Sequence, residues 1–298
     1  MITARILGIM LALAGGLGIR GWQTVFRSTV NYVEVDVSVN SKNRPVTGLT
    51  AGDFELRDNG VAQKILVMDR ETYPVDVTLA IDVSSSVRFV LTSLVNAVNR
   101  IRENLHSNDR VMLLVFNQRI LERAALAPPS SLGWLTPGSA AGSTSLYDAI
   151  TVAMAVPQAS IRRQMAIVFT DGLDTISFLD QASALEVARH TRTAIFVVTS
   201  SGTDLPKAFS RDLVEITGGM TQEVRPYQPV TGKSILGTSG NNIFDSSFLR
   251  ALEDFRSSYV LRYTLEGTPS PGWHDLTVRV VKPGTQYQVR ARRGYVGR

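Results

Sequence analysis

The chain of 298 residues contains no cysteine and only three histidines, His106, His190 and His274. Without a thiol there is no disulfide framework, no thiolate zinc or iron–sulfur centre, no c-type haem attachment and no cysteine nucleophile. Charged residues make up 19% and aromatics 7%. The 31 Lys and Arg against 26 Asp and Glu leave +5, and the pI is near 9.6. Removing the two arginines of residues 1–22 lowers that surplus to +3, too small to point to a nucleic-acid partner. What the sequence does have is 44% hydrophobic residues and a mean hydropathy of +0.06, enough for a substantial core and too apolar for disorder.

The chain opens with Arg5, an apolar stretch from Ile6 to Ile19 interrupted by glycines, and Arg20. The stretch is shorter than the roughly 18 to 20 residues of a membrane span and has the basic start and apolar middle of a secretory leader, with Ala12-Leu13-Ala14 as a partial cleavage site. Residues 1–22 are therefore expected to be a signal peptide or an N-terminal anchor. The protein is expected outside the cytoplasm (periplasmic, secreted or held to the envelope), with membrane association through this segment.

Residues 26–72 read as β structure. Val33 to Val39 alternates apolar and polar residues, and Val46–Leu49, Phe54–Leu56 and Gln63–Met68 suggest further short strands around an Asp58-Asn59-Gly60 turn. Beyond Pro74 the pattern changes to buried strands alternating with amphipathic helices. Strands are expected at Val75–Ile81, Val111–Phe116, Met165–Thr170 and Ala194–Thr199, with helices after Val87, at Leu146–Val156, Gln181–Arg192 and Lys207–Thr217, and at Asp245–Ser257 after a loop from Glu223 to Asn242. Residues 258–298 return to strand patterning. The fold class expected is α/β: a doubly wound, mostly parallel sheet with helices on both faces over residues 73–257, and a small antiparallel β-sandwich built from residues 26–72 and 258–298. The arginines at 290, 292, 293 and 298 read as the solvated side of a terminal strand.

The chemistry concentrates at the ends of the buried strands. Asp82-Val83-Ser84-Ser85-Ser86 follows the first of them, Asp171-Gly172 follows another, and Thr144 opens a helix. In a doubly wound sheet these junctions face the crevice where ligands bind. Singly, each residue has an ordinary role as a helix cap or turn former. Together, two carboxylates and three hydroxyls with no sulfur or imidazole describe a site for a hard cation.

Asp82-x-Ser84-x-Ser86, then Thr144, then Asp171 in Thr-Asp-Gly resembles the metal-ion-dependent adhesion site of von Willebrand factor A domains, over roughly residues 73–257. The flanks resemble a bacterial group of secreted proteins with such a domain, in Val33–Val37, in Leu49-Thr50-x-x-Asp53-Phe54 and in the terminal Arg292–Tyr295. Where the family commonly has Gly-Gly-Thr, this chain has Gly142-Ser143-Thr144. The resemblance implies that Ser84, Ser86 and Thr144 ligate a magnesium-type ion (Mg, Mn or Ca) through their hydroxyls, with Asp82 and Asp171 acting largely through water. A protein partner's Asp or Glu carboxylate would fill the exchangeable position. Asp148 and Asp174 either orient these loops or serve as plain caps.

A binding module rather than an enzyme is therefore expected. A serine hydrolase would need a histidine beside its nucleophile and a Gly-x-Ser-x-Gly elbow, and a nucleotide-binding protein would show a phosphate-binding glycine loop after the first strand; the sequence has neither motif there. The competing classes are a metal-assisted phosphatase using Asp82 and a structural envelope protein with an idle site.

Overall fold

The structure is a computed structural model that describes residues 32–298 apart from 43, 71–72, 137, 158–161, 201, 225–241, 266, 268–270, 284–285 and 298. The expectations for residues 1–22 and most of the loop expected between Glu223 and Asn242 lie outside the described residues. Among those described, no helix is long and apolar enough to cross a membrane.

The chain begins with β1 (Val33–Ser41), β2 (Arg44–Pro45), β3 (Phe54–Asp58), β4 (Val61–Gln63) and β5 (Ile65–Arg70). Next come β6 (Val75–Asp82), α1 (Leu91–Asn104), β7 (Arg110–Phe116), β8 (Ile120–Ala127), α2 (Leu146–Met154), β9 (Arg163–Thr170), α3 (Gln181–His190), β10 (Ala194–Ser200), α4 (Lys207–Thr217), β11 (Met220–Val224) and α5 (Asn242–Ser257). The last strands are β12 (Tyr259–Tyr263), β13 (Gly272–Val280), β14 (Gln288–Ala291) and β15 (Gly294–Gly297).

The fold is mixed α/β. Its central sheet has the order β11-β10-β9-β6-β7-β8. All eight residues of β6 and of β9 are buried, as strands covered on both faces must be. One hydrophobic cluster joins the sheet to α1 and α5 and a second joins it to α2, α3 and α4, so helices cover both faces. The edge strand β8 runs antiparallel to β7 with an irregular register. This departs from the sequence reading, which assigns no element between Phe116 and Leu146. The strand is half exposed and carries Glu122 and Arg123 between Leu121 and Ala124, so its pattern is weak.

The β segments at both ends of the chain form two further sheets. One has the order β14-β1-β12-β5 with β2 on β1, the other β15-β13-β3-β4. They share a core that includes Val35, Val37, Leu56, Leu261 and Tyr263, and Phe54 meets Tyr259 edge-on with ring centroids 5.4 Å apart. Residues 46–49, expected as a strand, form none; the segment is held instead by Val46 N–H donating to the Val39 carbonyl and by the Tyr259 hydroxyl, which donates to Val46 and accepts from Leu49 N–H. The buried Arg163 at the start of β9 links the layers, donating to Asp36 of β1, to the Phe255 carbonyl and to Ser258. Arg290 and Arg292, expected on a solvated edge, turn inward: Arg290 pairs with Asp254 and donates to the Gly218 carbonyl, and Arg292 donates to the Thr191 and Gly294 carbonyls. Burial and the neighbouring Arg192 pull Arg292 down to about 10.

Candidate metal centre at the sheet switch point

From β6 the parallel strands proceed outward on one side to β7 and on the other to β9, β10 and β11. The chain therefore reverses direction between β6 and β9, and the crevice beyond their carboxyl ends is where such sheets bind ligands. Asp82 is the last residue of β6 and Thr170 the last of β9, and the Thr170 hydroxyl donates to Asp82 Oδ2 at 3.0 Å. The other carboxylate oxygen, Oδ1, accepts the backbone N–H of Ser84 at 2.8 Å. This turn holds the chain in the extended conformation that Ser84 adopts before the single 3-10 turn leading into α1.

From there a hydrogen-bonded line runs outward. Ser84 Oγ lies 3.0 Å from Ser86 Oγ, and the Ser86 hydroxyl donates to Asp171 Oδ1 at 2.7 Å. Ser84 is buried, Asp171 half-buried and Ser86 exposed, so the line passes from the sheet edge to solvent. Thr144, also buried, belongs to a loop laced to the first. Gly142 N–H donates to Ser85 Oγ, Ser85 N–H to the Gly142 carbonyl and Ala141 N–H to the Val83 carbonyl. On its other side, Thr144 N–H donates to Thr175 Oγ1, and Thr175 and Ile176 donate their N–H groups to the Thr144 carbonyl. The glycine at 142 has φ +86, and a Cβ there would lie 1.6 Å from Gln118 Oε1, so the departure at Ser143 leaves this tight position unaltered.

The structure thus brings Asp82, Ser84, Ser86 and Asp171 into one line and stitches the Thr144 loop to both of its flanking loops. Asp148 and Asp174 are the braces. Asp148 accepts the N–H groups of Phe178 and Leu179, both at 2.9 Å, and Asp174 accepts those of Tyr147 and Ser177. Sequence reasoning missed Thr170 and Thr175; Thr170 was legible as the polar end of a buried strand, whereas nothing local marks Thr175.

Burial pushes the Asp82 carboxyl up to about 6, with the negative charge of Asp171 adding to the rise and hydrogen bonds from Ser84 and Thr170 opposing it. Burial also raises Asp171. Among the described residues neither carboxylate is in an ion pair, and no group of three or more His, Cys, Asp or Glu side chains is placed to hold a metal, here or elsewhere, so the candidate site rests on two carboxylates and on hydroxyls. Two partly desolvated carboxylates without a positive partner, beside the Ser84 and Ser86 hydroxyls, fit a hard divalent cation. The histidines lie elsewhere: His190 is beside Glu186, His106 beside Arg256, and the buried His274 is paired with Asp58.

No protein-family model matches the chain and no curated protein matches it. Among solved structures it is similar to von Willebrand factor A domains. One is a von Willebrand factor type A structure from Catenulispora acidiphila, with 12% identity, 91% of this chain and 75% of that chain covered, and a TM-score of 0.48. Another is the SpRpn10 VWA domain, with 12% identity, coverage of 59% and 94%, and a TM-score of 0.42. A third is proximal thread matrix protein 1 from the mussel byssus, solved with a zinc-occupied MIDAS motif, with 13% identity, 66% of this chain covered and a TM-score of 0.48. The match spans about half of the mussel protein, 49% of its chain.

Proposed function

We propose that the chain is an exported, metal-dependent protein-binding module of the von Willebrand factor A type, with its doubly wound domain presenting the metal edge. The observation that carries this reading is the line from Asp82 through Ser84 and Ser86 to Asp171 at the switch point of the sheet, with the Thr144 loop laced beside it. Ser84, Ser86 and Thr144 would hold a divalent cation, magnesium, manganese or calcium, through neutral oxygens, with Asp82 and Asp171 balancing its charge from behind. A cation so held supplies a Lewis-acidic position that an Asp or Glu carboxylate of a partner can fill. The residues themselves set the geometry: Asp82 fixes the Ser84 backbone, Ser86 and Asp171 orient each other, and Thr175 holds Thr144 from its far side.

This arrangement favours binding over catalysis. Asp82, which would have to accept a phosphoryl group in a phosphatase of this kind, is fully buried and has both oxygens engaged, which suits a supporting charge rather than a nucleophile. The apolar segment after Arg5 supports export and association with the envelope.

Calorimetry with magnesium tests the reading. Ser84→Ala should abolish measurable heat and Asp171→Ala should weaken binding by roughly 10- to 100-fold, both with unchanged circular dichroism. Wild-type affinity in both variants would overturn it in favour of an idle site.

A further inference from the structure

The candidate metal edge is framed by large apolar side chains left in solvent. Phe89, three residues beyond Ser86, is 84% exposed. On the loop that follows Asp171, Leu173 is 45%, Ile176 54% and Phe178 95% exposed. Ser86 is hydrogen-bonded to Asp171, so the two loops that carry these side chains meet at that contact. Scattered exposed apolar residues are ordinary, but a cluster around a binding position is characteristic of an interaction surface.

The backbone beneath them is fixed. Asp148 accepts the N–H of Phe178 itself and of Leu179, Asp174 accepts the N–H and hydroxyl of Ser177, and the Thr144 carbonyl accepts the N–H of Ile176. Two carboxylates thus hold down a loop whose side chains at 173, 176 and 178 are not packed away. An apolar loop restrained in this way loses little entropy on binding, which is what a preordered contact surface needs. Charge at the rim adds to this: Arg88 is exposed and its guanidinium lies 4.7 Å from the Phe89 ring centroid, favouring an approaching carboxylate.

The chain's own segments outside the described structure are poor occupants. Residues 1–31 contain no Asp or Glu, and neither do residues 225–241. The two longest segments not described therefore have no carboxylate to place at the metal position.

Resting on the adhesion-site reading above, we infer that the partner is another protein presenting an acidic residue flanked by bulky apolar side chains, the acid directed to the metal position and its neighbours seated on Phe89, Leu173, Ile176 and Phe178. The acid alone would give a metal-dependent but indiscriminate contact. The apolar rim supplies most of the selectivity, because aromatic anchors at the centre of an interface dominate its affinity.

The test is an array of capped heptapeptides with a central Glu and six randomised flanking positions, probed with the full chain in magnesium. Enrichment of Leu, Ile, Met, Phe or Trp beside the Glu is expected. The best such peptide, measured in solution, should bind Phe178→Ser and Phe89→Ser at least about tenfold more weakly, while magnesium affinity by calorimetry stays at the wild-type value. Selection of polar flanks around a required Glu would overturn the apolar recognition and leave the metal–carboxylate reading standing. Equal binding to arrays with a central Gln would overturn that reading beneath it. Binding to no peptide would overturn the proposed partner class. Magnesium-dependent self-association in ultracentrifugation, abolished by Phe178→Ser, would overturn it too by placing a second copy on this face.

Discussion

Asp58→Ala tests how the end segments of the chain are tied together. Asp58, the last residue of β3, is fully buried, and three side chains from three other strands donate to it: Tyr263 of β12 at 2.6 Å, His274 of β13 at 2.7 Å and Tyr295 of β15 at 3.0 Å. His274 also stacks on Tyr295 with centroids 4.7 Å apart. The knot therefore joins β12 of one outer sheet to β3, β13 and β15 of the other. Truncation leaves three donors in a buried site, each orphan costing about 1–3 kcal/mol, and breaks a buried Asp–His pair, for which about 3–5 kcal/mol is typical. The two figures describe the same loss, and a water entering the vacated space recovers part of it, so a net destabilisation of about 4 kcal/mol is expected. For a folded unit of this size that lowers Tm by about 8–16 °C. Urea denaturation followed by far-UV circular dichroism measures it, with Asp58→Asn as the control that keeps an acceptor and loses less. A loss below about 1 kcal/mol for Asp58→Ala would refute the assignment of the knot as the tie between the sheets.

Two further outcomes follow from the packing. Burial and its contacts with Asp58 and Tyr295 push the Tyr263 phenol well above its ordinary value, so the folded chain keeps a proton that the unfolded chain releases from about pH 10; stability should fall as pH rises above 10, and Tyr263→Phe should flatten that fall in urea titrations at successive pH values, an unchanged slope contradicting the account. Gly219→Ala would place a Cβ 1.8 Å from the Ile195 carbonyl oxygen where β11 begins beside β10, and it should cost about 3 kcal/mol or more by thermal denaturation, a neutral result showing that the strand can shift.

Much of the sheet and of the candidate site was legible in the sequence because burial on both faces writes a continuous apolar run, as in Val75–Ile81 and Met165–Thr170. Polar residues that end such runs, Asp82 and Asp171 among them, are conspicuous. Strand β8 was not legible, since an antiparallel edge needs apolar residues on one face only and here carries Glu122 and Arg123. The inward turn of Arg290 and Arg292 was hidden for a different reason. Their partners, the carbonyls of Gly218 and Thr191 and the carboxylate of Asp254, lie 36 to 101 positions away in sequence, and charge patterning sees only neighbours. The same holds for the braces at Asp148 and Asp174, whose local sequence is equally that of an ordinary cap and turn.

The most direct test of the metal site is anomalous diffraction from crystals of the full chain grown with manganese. The account predicts one strong peak within coordinating reach of Ser84 Oγ, Ser86 Oγ and Thr144 Oγ1, with Asp82 and Asp171 behind it. It also predicts no peak there in crystals of Ser84→Ala grown under the same conditions. A wild-type crystal with manganese bound only elsewhere, or not at all, would contradict it.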